Sequence, residues 1–315
     1  MIRTKGGVGI VSLVGVGHCC HDYLCLIDEY PPEDGSTRIT SVSTQGGGAV
    51  ATAMVAASRL GIESAFIGNI GDDEVGSLIL EELKREGVDV SGVEVLPGVQ
   101  SIRSYVMIDT KKGTRTKFPY KGNIPPIVWD EHKKNMLKNA KILHLDGTDY
   151  ENAVNAAELA KEYKVLISLD GSTRQKDNRL NKELASRVDI LIMSAVYPTA
   201  VSGKPTIKEA LLEISTWGPE IVMSTAGADG VFAVIDNHVY HFEGYKVNVV
   251  DTTGAGDVFH GAFLAAYLKG KNLEDCISIA QLTAALKCEH IGGRTGITDW
   301  KTVENNYKPF AGVRL

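Results

Sequence analysis

Asp251-Thr252-Thr253-Gly254-Ala255-Gly256-Asp257-Val258-Phe259-His260-Gly261 follows a short β-branched run at 247–250, which reads as a strand, and opens a long apolar helical segment at 256–268. Small residues at a helix start leave its first N–H groups sterically open, and those donors have no partner within the helix. The helix dipole adds partial positive charge there, so such a turn can hold an anion. Asp257 falls in the first turn, beside whatever anion the amides hold. A carboxylate repels a phosphate, and orienting and deprotonating a hydroxyl nucleophile would account for its presence. Capping the helix is the plainer role for a first-turn aspartate.

Outward from this junction the same alternation repeats. Strand-like runs at 9–15, 64–68, 141–145, 165–169, 190–193 and 221–224 are interleaved with helix-like segments at 49–60, 74–86, 152–163, 207–217 and 273–288. This order predicts an α/β fold with a mostly parallel sheet, helices on both faces, and ligands beyond the carboxyl ends of the strands. Two segments break the pattern. Residues 36–44 and 101–120 alternate polar and apolar side chains, with Gly113 placed for a turn, and predict antiparallel strands without helical partners. The expected organisation is a main domain of 1–35, 49–98 and 121–315, with a β lid of 36–48 and 99–120.

Composition narrows the partners. The 315 residues are 43% hydrophobic and 23% charged, ordinary for a globular chain, and the net charge of −6 gives no basic footprint for nucleic acid or an anionic membrane. Cys19, Cys20, Cys25, Cys276 and Cys288 form no C-x-x-C pair, which points to reduced thiols in a cytoplasmic protein. The apolar run 8–16 is broken by Gly9 and Gly15 and reads as a buried first strand rather than a signal peptide. No run is long enough to span a membrane. The histidines show no metal-binding spacing, so no protein-built metal site is expected, and Gly15-x-Gly17 lacks the third glycine of a dinucleotide fingerprint.

The string 251–261, continued by Ala262-Phe263-Leu264, resembles the C-terminal signature of the PfkB, or ribokinase-like, carbohydrate kinases. Gly46-Gly47-Gly48-Ala49 is similar to that family's N-terminal glycine motif, 67–76 to its G-x-x-G-D-D-x-x-G stretch, and 224–230 to its nucleotide loop. The resemblance implies a Rossmann-like domain with a β lid, phosphorylating a sugar hydroxyl with ATP and Mg²⁺, and a monovalent cation such as K⁺ near the last loops. It implies Asp257 as base and Gly254, Ala255 and Gly256 as the anion hole. Asp22, Gly47, Gly48 and Asp146 would grip the sugar. Thr225, Gly227, Gly230 and Ser194 would meet the nucleotide. Taken alone, Asp22 and Asp146 read equally well as turn residues. Arg103 and Arg115, in the lid segments, either reach a phosphate or substrate group or are solvated and paired. The exposed edges of lid strands could pair two copies into a homodimer.

The sequence also departs from the family pattern. Ala51 stands where Asn is usual, and 194–197 reads Ser-Ala-Val-Tyr where an N-x-x-E motif helps order Mg²⁺. Pro31-Pro32-Glu33-Asp34, Cys288 and Gly292-Gly293 are similar to the ketohexokinase branch. The stretches 46–53 and 285–294 are closer to the sulfofructose kinase branch. Ser36 and Gly147 occupy the approximate places of the basic residues that would hold a sulfonate, so a neutral ketose or related sugar is the expected acceptor. A nucleoside kinase of the same family, or a sugar or nucleotide sensor without turnover, stays open.

Overall fold

The computed structural model describes residues 11–112, 114–172 and 175–315. Strand β1 (Leu13–Val16) is followed by β2 (Cys20–Ile27), β3 (Ile39–Gly47), α1 (Ala49–Arg59), β4 (Ser64–Gly71), α2 (Glu74–Arg85) and β5 (Asp89–Leu96). The chain continues through β6 (Arg103–Asp109), β7 (Thr114–Tyr120), α3 (Glu131–Asn139), β8 (Ile142–Asp146), α4 (Tyr150–Tyr163), β9 (Leu166–Gly171) and α5 (Asn178–Ala185). Next come β10 (Ile190–Ser194), α6 (Tyr197–Ser202), α7 (Ile207–Ser215), β11 (Ile221–Thr225), β12 (Val231–Ile235) and β13 (His238–Phe242). Helices α8 (Ala255–Leu268), α9 (Leu273–Cys288) and α10 (Trp300–Asn306) and strand β14 (Val313–Arg314) complete it. The expected strand at 9–15 begins outside the described residues, and Gly113 lies outside them.

The main sheet runs β14-β13-β12-β11-β10-β9-β8-β1-β4-β5, parallel from β11 to β5 with an antiparallel β12–β14 edge. Its central strands are apolar at nearly every position because both faces are covered. Val50, Met54, Phe259, Phe263 and Ile279 pack from α1, α8 and α9 on one face. Leu137, Ala156, Leu184, Leu211 and Ile214 pack from α3, α4, α5 and α7 on the other. Helix α8 is buried continuously from Val258 to Ala266, as a helix apolar all round must be. Gly261 is required there, because a side chain would strike the Ala53 carbonyl of α1. Strand order reverses at β1, which lies between β8 and β4, and the crevice beyond that reversal is where open α/β sheets take ligands.

A second sheet, β3-β2-β6-β7, stands beside the first. Its inner strand β2 runs antiparallel to β3 and parallel to β6. The small sheet therefore includes 20–27, which the sequence pattern assigns to the main domain. The apolar content of Cys20-His21-Asp22-Tyr23-Leu24-Cys25-Leu26-Ile27 reads like core, and most of it does face inward: Cys20, Leu24, Cys25 and Ile27 are buried. Residues 247–250 correct a second expectation, since they form no strand. The N–H groups of Val250 and Asp251 both donate to the Cys288 carbonyl at the end of α9, and Val249 and Val250 are each 59% exposed. Their bonds go to a helix end, so β-branched composition does not make a sheet strand here.

A buried ion pair ties the small sheet and helices α1 and α2 to the loop after α9. Arg294 Nη1 meets Glu82 Oε1 at 3.1 Å, and both side chains are nearly inaccessible. The guanidinium also donates to Thr52 Oγ1 at 3.1 Å and the Gly47 carbonyl at 3.0 Å, while Glu82 accepts from the Gly46 N–H. Arg294 lies directly behind Gly46, where a Cβ would displace it. The glycine run 46–48 is thus built around a guanidinium. Removing one partner of such a pair strands a buried charge. Arg294→Met is expected to lower unfolding free energy by about 3–5 kcal/mol in urea titrations. A loss of only about 0.5 kcal/mol, typical of a surface position, would contradict this role.

Candidate active site

The strand ends carry the polar groups. Asp146 ends β8, Asp170 lies opposite it near the end of β9, and Ser194 and Thr225 are register partners ending β10 and β11. Asp146 is fully buried and accepts from the His18 N–H and the Thr148 N–H, each at 2.9 Å. Burial pushes its carboxyl up, and these two donors oppose the shift. Gly17 packs against the same carboxylate.

Asp257 is brought over this row by α8. Gly254 adopts a left-handed conformation (φ 73°) at the helix N-cap, with no side chain bonding the first-turn amides. Only glycine fits there, since a Cβ would press on Gly293 as well as strain the backbone. The Ala255 N–H is occupied by the Thr252 carbonyl at 3.2 Å. The N–H groups of Gly256 and Asp257 have no acceptor among the described residues, and a Cβ on Gly256 would meet open space. Two bare amides at the positive end of a 14-residue helix make a cradle for an anion.

The Asp257 carboxyl is pushed up to about 6, first by burial and then by the negative charge of Asp170, with His260 and Lys117 opposing. One turn along α8, His260 Nε2 meets Asp170 Oδ1 at 3.3 Å. The pair holds Asp170 below the usual carboxylate range, against its burial, and fixes where that charge sits under Asp257. Beneath it, His144 lies 5.2 Å from the His260 ring and bonds Ser168 Oγ at 3.2 Å through Nδ1. Burial and the neighbouring His260 hold His144 neutral, down at about 3.

The other expected residues fall in three groups. Asp22 and Gly47 are adjacent, the carboxylate lying against the glycine where a Cβ would collide with it, and Gly48 turns left-handed (φ 92°) into α1. Thr225 reaches the Met193 carbonyl at 3.4 Å beside Ser194, and Gly227 opens a 3₁₀ turn, Gly227–Asp229. Gly230 is needed for packing, because a side chain would meet the Phe242 carbonyl. Arg103 faces away from this row: it pairs with Asp73 at 3.0 Å and its guanidinium lies 5.2 Å from the Tyr120 ring centroid. Arg115 of β7 instead reaches the anion turn, 3.2 Å from Asp251 Oδ1 and bonded to Thr253 Oγ1.

A cleft of about 580 Å³ opens at the switch point, within the range of small-molecule sites. Its walls include Phe66, Ile102, Pro119 and Tyr150, and its polar lining includes His18, Asn69, Lys121, Asn123, Thr148 and Gln175. Asn69 Oδ1 and His18 Nδ1 are buried without partners among the described residues, as groups awaiting a ligand would be. The sequence reading gives these side chains no role. Asn69 alone carried a signal, as the one polar side chain in the strand Ile67-Gly68-Asn69-Ile70.

The description "pfkB family carbohydrate kinase" belongs to a family model that matches residues 12–300. The chain is 28% identical over 290 residues to the ATP-dependent ribose-1-phosphate kinase of Halopiger xanaduensis, covering 92% of this chain and 96% of that protein. It is 29% identical to the nucleoside kinase of Methanothermobacter thermautotrophicus, covering 91% and 93% respectively. The structure of Arabidopsis thaliana ribokinase complexed with ribose and ATP superposes with a TM-score of 0.84 at 25% identity, covering 93% of this chain and 97% of that one.

The electrostatics of Asp257 can be read directly. In carboxyl-carbon NMR titrations it should titrate near pH 6, and Asp170→Asn should lower that midpoint by removing the largest neighbouring charge. A midpoint in the ordinary aspartate range in the parent protein would contradict the assignment.

Proposed function

The chain belongs to the pfkB family of carbohydrate kinases, ATP-dependent phosphotransferases acting on sugars and nucleosides, and from that premise we propose that Asp257 is its catalytic base. The observation that supports this most is the pairing of one raised carboxyl with two acceptor-free amides at the head of α8. Asp257 takes the proton of the acceptor hydroxyl as its oxygen bonds the γ-phosphorus. The bond from that phosphorus to the bridging oxygen breaks, and ADP leaves with the electron pair. The Gly256 and Asp257 N–H groups face the transferring phosphoryl oxygens, where donors fixed beforehand stabilise the charge. A base near pH 6 is deprotonated at neutral pH while still able to accept a proton.

The remaining residues take supporting roles. Asp22, Gly47 and Gly48 line the sugar side, Asp146 holds the β1 turn, and Ser194, Thr225, Gly227 and Gly230 shape the nucleotide side. The small sheet acts as a lid. Arg115 and Lys117, two apart on β7, share one face of that sheet, and both act on the anion turn or Asp257. Closing the lid would bring these cations toward the phosphates and exclude water. Its opposite face exposes Val42, Tyr105, Phe118 and Tyr120, an apolar surface through which two copies would pair.

Mg²⁺ is expected with ATP. Residues 194–197 carry no carboxylate, Asp170 is committed to His260, and the described residues form no cluster of three or more acidic, histidine or cysteine side chains able to hold a metal. The metal would therefore rest chiefly on the nucleotide's own phosphates, and no step above is routed through it.

We place a sugar hydroxyl as acceptor, with a ketose as the sequence-based choice. A nucleoside is the second reading, favoured by the apolar walls Phe66, Ile102 and Pro119 against which a base could lie. Assays of ATP consumption across ketoses, aldoses and nucleosides separate these. Binding of one of them without turnover would favour a sensor. Asp257→Asn should lower kcat by about 10³-fold or more with ATP affinity retained. Near-normal turnover in that variant would remove Asp257 from the reaction.

A further inference from the structure

The family resemblance leads one to expect a monovalent cation near the last loops, and the structure puts something else there. Lys287, in the last turn of α9, is fully buried, and its Nζ donates to the Asp251 carbonyl at 2.7 Å. That carbonyl belongs to the first residue of the anion turn. Asp251 is the hub of the junction: its carboxylate accepts from the Thr253 N–H and the Gly292 N–H at 2.8 Å each, and from the Thr253 hydroxyl at 2.7 Å. The neighbouring Cys288 carbonyl is taken by the Val250 and Asp251 N–H groups. The two carbonyls presented at this junction thus already have donors.

We propose that the Lys287 ammonium is this protein's built-in substitute for a loosely bound monovalent cation, holding the anion turn in shape without one. The electrostatic setting is mixed: burial, the largest influence, works against the ammonium, while most of the neighbouring groups favour it. The charged groups acting on Lys287 are Asp251 and Asp257, which favour its protonated form, and Arg115, which opposes it, with the Cys288 thiol also adjacent. Burial lowers its affinity for the proton. A second cation placed there would meet repulsion from the buried ammonium that solvent reduces little, and a weaker, screened repulsion from the partly exposed Arg115 guanidinium. A tethered ammonium also stays in place at any salt concentration, whereas an ion must be recruited from solution. Lys287 is fully buried, and its ammonium bonds the Asp251 backbone carbonyl. It is a positioning residue, acting through the Asp251 backbone on the amides of Gly256 and Asp257.

The inference rests on the phosphoryl-transfer reading, but one of its tests does not require turnover. Melting temperature of the parent protein should be equal in potassium and choline chloride at matched ionic strength, and so should kcat with whichever acceptor proves active. A rise in either that is specific to potassium would overturn the proposal. If no acceptor is turned over, the kinase reading fails while the melting comparison still decides this one. Lys287→Ala should lower kcat by about 100-fold with the sugar KM near its parent value, as for loss of one anion-hole donor. Ammonium or potassium should restore part of that rate by entering the space left. An unchanged kcat, or a loss that neither cation repairs, would overturn the positioning role. Should the variant fail to fold, the melting and rate comparisons on the parent protein decide alone.

Discussion

A helix cannot bond its own first N–H groups, and the site depends on how the fold deals with that constraint at α8. Side-chain caps satisfy the starts of α2, α3, α4, α5, α7, α9 and α10, each through an Asp, Asn or Thr. Helix α8 has Gly254 instead, and two amides remain without an acceptor among the described residues. Gly256 is exposed and Asp257 half-buried, so neither bare donor carries the full cost of a buried one. Helix α8 is packed on α1 and α9 through its buried stretch from Val258 to Ala266, so its position does not depend on its cap.

The anion turn is also held from outside. Asp251 ties it to Gly292, Lys287 grips its carbonyl, and Arg115 reaches it from the small sheet. Gln45 at the other edge of that sheet accepts from the Gly293 N–H at 3.1 Å. Arg294, one residue on, anchors the glycine run 46–48. The glycine run 46–48, the small sheet and the turn before α8 therefore share one connected set of bonds. Under the proposed mechanism, movement of the small sheet would be felt at Asp251, and through it at the Gly256 and Asp257 amides.

Much of this was legible in the sequence, and the exceptions have physical causes. The main alternation was readable because parallel strands buried on both faces are continuously apolar, and Gly254-Ala255-Gly256-Asp257 marked a helix start without a side-chain cap. Strand β2 was not, because its Leu24, Cys25 and Ile27 resemble core whichever sheet receives them. Residues 247–250 misled because β-branched composition says nothing about where the backbone N–H groups find partners. Gln175 and Lys121 carry no local pattern, and Asn69 shows only as a polar side chain in an apolar stretch; the topology brings them to one cleft from three distant stretches. The Arg294–Glu82 pair spans 212 positions and leaves no periodic trace.

The central claim is geometric: the amides of Gly256 and Asp257 receive the terminal phosphate, with the Asp257 carboxylate at the acceptor hydroxyl. A crystal structure with a non-hydrolysable ATP analogue and an active acceptor tests it most directly. The account predicts γ-phosphate oxygens about 2.7–3.1 Å from those two nitrogens and the acceptor hydroxyl in hydrogen-bond contact with Asp257. A terminal phosphate bound elsewhere, with α8's first turn facing only solvent, would contradict it.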